Sequence, residues 1–82
     1  MYTVYAIYNQ KNDKIYIGQT KDMAERLRLH NEKILLGYTY RFDGNWKLIY
    51  SVQIENRQKA LQRERQLKSF RGREFIKQFI PG

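Results

Sequence analysis

Apolar and aromatic positions fall into short blocks separated by polar stretches. Tyr2 to Tyr8 (YTVYAIY) and Ile15 to Gly18 (IYIG) concentrate β-branched and aromatic residues, the composition of strands with a packed face. The polar stretch Asn9-Gln10-Lys11-Asn12-Asp13-Lys14 between them is rich in turn formers, so the pair reads as a β-hairpin. Asp22 followed by Glu25 has the form of a capping box, and Met23, Leu27, His30 and Ile34 then recur at helical spacing. The spacing predicts a helix over about residues 23–35, with Gly37 as the left-handed residue beyond its end. Gly37 to Asn45 follows neither period and reads as an irregular loop. Trp46, Leu48, Tyr50, Val52 and Ile54 then alternate with polar neighbours, only Ile49 breaking the pattern, which predicts a strand. Asn56 is an N-cap for a second helix through Lys68. Ser69 restarts the chain into a third containing Phe75, Ile76, Phe79 and Ile80, stopped at Pro81.

The order β-β-α-β-α-α, without internal repeat, linker or low-complexity segment, predicts an α+β fold. We expect a three-stranded mixed or antiparallel sheet flanked by helices, with residues 1–82 forming one domain. Composition sharpens this. At 41% hydrophobic and 15% aromatic residues the chain is too apolar for a disordered polycation. It has no cysteine, which excludes disulfide staples and thiolate zinc sites, so packing must hold it together. The longest aliphatic run, Ile34-Leu35-Leu36, is far short of the roughly 20 residues that span a bilayer, and Met1-Tyr2-Thr3-Val4 lacks the features of a signal peptide. The expected setting is therefore intracellular and cytoplasmic, with no membrane partner.

Charge points to the partner. The net charge is +8, and Arg57 to Glu74 alone holds seven basic residues against two acidic ones. Clustered Lys and Arg displace counterions from phosphates, so a nucleic acid suits this segment, as does the plainer role of a solvated helix face.

A few residues could carry chemistry. Side chains alternate along strands, so a two-residue turn at Gln10-Lys11 would set Tyr5 and Tyr16 on one face. Lys21 stands at the entrance to the first helix, and Arg26 lies one helical turn before His30. Glu64 falls on the apolar stripe of Ala60, Leu61 and Leu67, where an ionised carboxylate needs a cation beside it. That cation could be Arg63, Lys68 or a residue from another element. It could also be Mg²⁺, whose sites often use one or two carboxylates plus substrate phosphates. Phosphodiester hydrolysis needs an activated water, a cation facing the phosphorane and a metal near the leaving oxygen, roles this set can fill. With one His and no Gly-rich phosphate loop, no second set presents itself.

At these residues the sequence resembles the GIY-YIG nuclease family, and among its members the small stand-alone ones similar to the N-terminal nuclease domain of the excision-repair protein UvrC. Tyr16-Ile17-Gly18 matches the YIG half. Thr3-Val4-Tyr5 occupies the GIY half, with its tyrosine kept and Thr3 in the glycine position. The spacing from Tyr5 through Tyr16 and Arg26 to His30, then Leu48-Ile49-Tyr50 and Ala60-Leu61-Gln62-Arg63-Glu64, continues the likeness over nearly the whole chain.

The resemblance implies a Mg²⁺- or Mn²⁺-dependent DNA endonuclease. One of Tyr5 and Tyr16 would take or relay the proton of the attacking water, and Lys21 would help acidify that phenol. Arg26 would stabilise the phosphorane, His30 would assist proton transfer, and Glu64 would hold the metal. DNA contact is expected at Gly18, Tyr40, Arg41, Arg63, Arg65, Lys68 and Arg71, on a substrate that could be branched or damaged, as in DNA repair. The alternatives are a non-catalytic nucleic-acid-binding module of the same fold and a small regulatory protein whose basic face binds an acidic partner.

Overall fold

In the computed structural model, which describes residues 1–35 and 37–81, the N-terminal hairpin comprises β1 (Tyr2–Asn9) and β2 (Lys14–Thr20). After α1 (Met23–Asn31) and a 3₁₀ turn at Thr39–Arg41 come β3 (Trp46–Ile54), α2 (Arg57–Lys68) and α3 (Phe70–Lys77). The sheet is wholly antiparallel in the order β2-β1-β3, giving an α+β fold with the element order read from the sequence. No helix among the described residues is long and apolar enough to cross a membrane. Leu36, which ends the apolar run Ile34-Leu35-Leu36, lies outside the described residues.

Both sheet faces are covered. Val4, Ala6 and Ile17 pack on one side against Ala60 and Leu67 of α2 and Ile76 of α3. Tyr5, Ile7 and Trp46 pack on the other, where Met23 and Leu27 of α1 and Phe42 join them. This explains the dense apolar run of β1, whose residues Thr3 to Asn9 are all buried: a central strand covered on both faces has no solvent side to mark with polar residues.

Four details depart from expectation. The hairpin loop is Gln10–Asp13 rather than a two-residue turn at Gln10-Lys11, because Asp13 takes a left-handed φ of 53° and accepts a 2.8 Å hydrogen bond from the Tyr8 hydroxyl. The register nevertheless keeps Tyr5 (opposite Gly18) and Tyr16 (opposite Ile7) on one face.

The first helix stops at Asn31, not near residue 35, and Lys33 (φ 59°) rather than Gly37 takes the left-handed turn. Asn31 and Lys33 are both spent on tertiary contacts there. The Asn31 side chain pairs with the backbone of Trp46, accepting from its N–H at 2.6 Å and donating to its carbonyl at 3.1 Å. Lys33 donates to the carbonyls of Phe42 and Gly44 at 2.6 and 3.2 Å. Asp22 caps the helix by accepting from Glu25 N–H at 3.1 Å, but the Glu25 carboxylate pairs with Arg28 instead of closing the box.

Ile49, the one break in the alternation of β3, is a β-bulge. Ala6 pairs with Tyr50 and Ile7 with Leu48, so Ile49 has no partner of its own. The extra residue turns the strand over, sending Trp46 toward α1 while Tyr50, Val52 and Ile54 face α2 and α3. Finally, α3 ends at Lys77, leaving Phe79 and Ile80 in the turn beyond it.

Candidate active site

The α1 face of the sheet carries the chemistry. Tyr5 is 1% exposed, and its hydroxyl lies 2.9 Å from Nε2 of His30, which is itself 3% exposed. The other imidazole nitrogen, Nδ1, lies 2.8 Å from Oγ1 of Thr39, a buried residue on the 3₁₀ turn. The result is a closed hydrogen-bonded chain from the central strand through α1 to the loop. Tyr16 stands beside it, its ring centroid 5.2 Å from that of His30 and 6.3 Å from that of Tyr5.

Gly18 is what lets the two phenols share this space. A Cβ built on it would come within 2.8 Å of the Tyr5 hydroxyl and 3.0 Å of Cε2 of Tyr16. The volume above Gly18 is therefore filled by the tyrosines, and the residue lies in mid-strand rather than at a bend.

Electrostatics separate the roles. Burial, more than any neighbour, pushes the Tyr5 phenol well above its ordinary value; Tyr16 and Glu64 push the same way and Arg26 opposes them. Burial likewise lowers His30 to about 4, with the cations Arg26 and Lys33 adding to the effect, so the imidazole is neutral at pH 7. Arg26 is thus the cation whose field reaches both partners of the hydrogen bond. Lys21 is exposed, with its ammonium 5.2 Å from the centre of the Tyr2 ring, and is not among the charges acting on Tyr5. Beside Arg26 opens a cleft lined also by Gln19, Lys21, Leu29 and Arg57.

Glu64 approaches from α2. Its side chain is 18% exposed and accepts from Lys68 at 2.6 Å, one turn along the helix. No group of three or more His, Asp or Glu that could hold a metal forms among the described residues. A divalent ion here would have Glu64 as its protein ligand, with water and phosphate completing the shell, a donor set that suits a hard cation such as Mg²⁺.

The remaining basic residues divide. Arg63 is engaged structurally, donating to the Tyr50 hydroxyl at 3.1 Å and lying 5.9 Å from the centre of the Phe75 ring, on the opposite side of the sheet from the phenols. Arg41, Arg65, Lys68 and Arg71 are exposed. Tyr40 is 52% exposed, whereas its neighbour Tyr38 stacks on Tyr16 with centroids 6.1 Å apart and planes 23° from parallel. Sequence reasoning missed Thr39, and a lone threonine in an aromatic loop offers no signal for it. The stack of Tyr38 on Tyr16 was missed too, although the aromatic character of that loop was legible.

Comparison with known proteins places the fold. No curated protein matches the chain. A solved structure, the solution NMR structure of the UPF0213 protein BH0048 from Bacillus halodurans, is similar at 25% sequence identity with a TM-score of 0.56, covering 100% of this chain and 88% of the other. The family model described as the GIY-YIG catalytic domain matches residues 1–75, which take in both strand tyrosines, Arg26, His30 and Glu64, and the chain belongs to the GIY-YIG family.

Proposed function

We propose that this protein is an endonuclease that hydrolyses DNA phosphodiester bonds. The observation that carries the reading is the Tyr5–His30 hydrogen bond, set on a single sheet face with Tyr16 and within the field of both Arg26 and Glu64. A buried phenol with a raised pKa cannot wait as tyrosinate at neutral pH. It can pass a proton, receiving one from water at its oxygen while releasing its own to the neutral Nε2 of His30. For this, Nδ1 carries the hydrogen and donates to Thr39, leaving the Nε2 lone pair directed at Tyr5. Arg26, beside both groups, faces the charge that grows on the phosphorane, and an anionic phosphate there would offset its opposition to imidazolium.

Tyr16 is partly exposed and takes the substrate side of the pair. A divalent cation held by Glu64, Mg²⁺ or Mn²⁺, would supply neutralisation of the phosphate and of the leaving oxygen. Arg65, Lys68 and Arg71 would contact the DNA backbone outside this centre.

Incubation of purified protein with supercoiled plasmid and with branched or flapped DNA, in Mg²⁺, Mn²⁺ or chelator, tests the reading. Metal-dependent nicking is expected. Salt-sensitive binding with no cleavage on any substrate would replace it with a binding module.

A further inference from the structure

The outer edge of β2 carries a groove that leads away from the proposed centre and shares Tyr16 and Lys68 with it. As the edge strand of the sheet, β2 exposes one backbone side, and two adjoining hollows run along it, sharing Ile15, Tyr38 and Arg73 and lined also by Lys14, Tyr16, Lys68 and Lys77. Four of the eleven lining residues are cations. Lys68 is paired with Glu64 and Lys77 with Glu74, Lys14 lies 5.8 Å from the centre of the Phe42 ring, and Asp13 stands at the rim. Arg73 makes no ion pair among the described residues.

The aromatic wall is equally specific. Tyr38 lays one face on Tyr16 and is 42% exposed, so its ring is oriented by a residue of the candidate active site while part of it remains open to solvent. Phe42 supports it from the side at 5.1 Å. A ring held this way can stack on a base only if that base has a free face, which a base inside a duplex lacks.

We infer that the groove takes one unpaired DNA strand, with Tyr38 stacking on a base adjacent to the phosphate at Tyr16 and with Lys68, Arg73 and Lys77 following the backbone away from it. The preferred substrates then carry unpaired bases on one side of the cut. This rests on the endonuclease reading for the position of the cut, but the strand preference can be measured without cleavage.

The test is a binding titration of the full chain in chelator, using a fluorescein-labelled oligothymidine and a blunt duplex of equal length. Tyr38→Ala should weaken oligothymidine binding about tenfold and duplex binding by no more than about twofold, the loss expected of one stacked base. Tyr38→Phe should restore the wild-type value. Equal losses on both ligands, or no loss on oligothymidine, overturn the proposal. A readout independent of any variant is 2-aminopurine placed within the oligothymidine: quenching on binding to wild-type protein is expected, and unchanged emission overturns the stacking. If plasmid nicking fails while this preference holds, the nuclease reading falls and the groove stands.

Discussion

His30 ties the candidate site together at the scale of single residues, and its burial has a measurable consequence. In the folded chain its pKa is held at about 4 against an ordinary value near 6.5. Between those values the unfolded chain binds a proton that the folded chain refuses. The associated stability is therefore present in full above about pH 6.5, falls as pH drops toward 4, and amounts to about 3 kcal/mol. Denaturant melts across this window should show the decline, and His30→Gln should flatten it. Gly18→Ala is expected to displace the Tyr5 hydroxyl or the Tyr16 ring, since the added Cβ would press on both at 2.8 and 3.0 Å. Nicking activity should then fall far more than the melting temperature. A variant that melts like wild type and cleaves at the wild-type rate would mean the two phenols need not share that space. The gathering of Tyr5, Tyr16 and His30, with Arg26 near them, was legible in the sequence because strand alternation and helical spacing place them on one face. The family resemblance assigned Lys21 to the phenol, whereas the fold sets its ammonium over the Tyr2 ring, and Arg26 is the cation whose field reaches Tyr5.

The elements that hold this face in place depend on side chains that substitute for regular structure. Asn31 bonds the backbone of Trp46 as a neighbouring strand would, fixing the end of α1 against the start of β3. Asn31→Ala would leave that N–H and carbonyl unpaired in a partly buried setting, at a cost of about 1–3 kcal/mol read by denaturant unfolding. On the other side of the sheet, α2 meets α3 at a corner where Ser69 accepts from Gly72 N–H at 3.2 Å. A Cβ at Gly72 would fall 2.1 Å from the Gln66 carbonyl oxygen and 2.5 Å from Cα of Leu67, both backbone atoms that cannot swing away. Gly72→Ala should therefore destabilise the protein by about 3 kcal/mol, the upper end of overpacking effects. An unchanged melt would show that the helices separate easily. Neither device follows from periodicity. The capping residues Asp22, Asn56 and Ser69 were readable because they act within a few residues of themselves. The early stop at Asn31 and the reversal at Ile49 were not, since each is decided by a partner on another element. Even so, the break in alternation at Ile49 was the visible trace of the bulge.

For the whole molecule, packing separates two kinds of basic residue on α2 and α3 that composition alone could not tell apart. Arg63 is committed to Tyr50 and Phe75, while Arg65, Lys68, Arg71 and Arg73 remain on the surface. DNA affinity should accordingly fall steeply with salt, by roughly 0.9 in the log–log slope for each phosphate neutralised. Arg65→Gln and Arg71→Gln should lower that slope, and Arg63→Gln should act on stability instead. Glu64 joins the helix layer to the sheet chemistry, and its pairing with Lys68 leaves two accounts to be separated. As an ion pair with a partner nearly half exposed, it contributes less than about 1 kcal/mol to folding. As the residue that binds the divalent cation, it is indispensable to cleavage. The decisive measurement is the initial rate of supercoiled-plasmid nicking in Mg²⁺ by wild-type protein and by Glu64→Gln, with both confirmed as folded by thermal melts. The account expects metal-dependent nicking by wild type and none by the variant at a nearly unchanged melting temperature. Nicking by Glu64→Gln at the wild-type rate would contradict it.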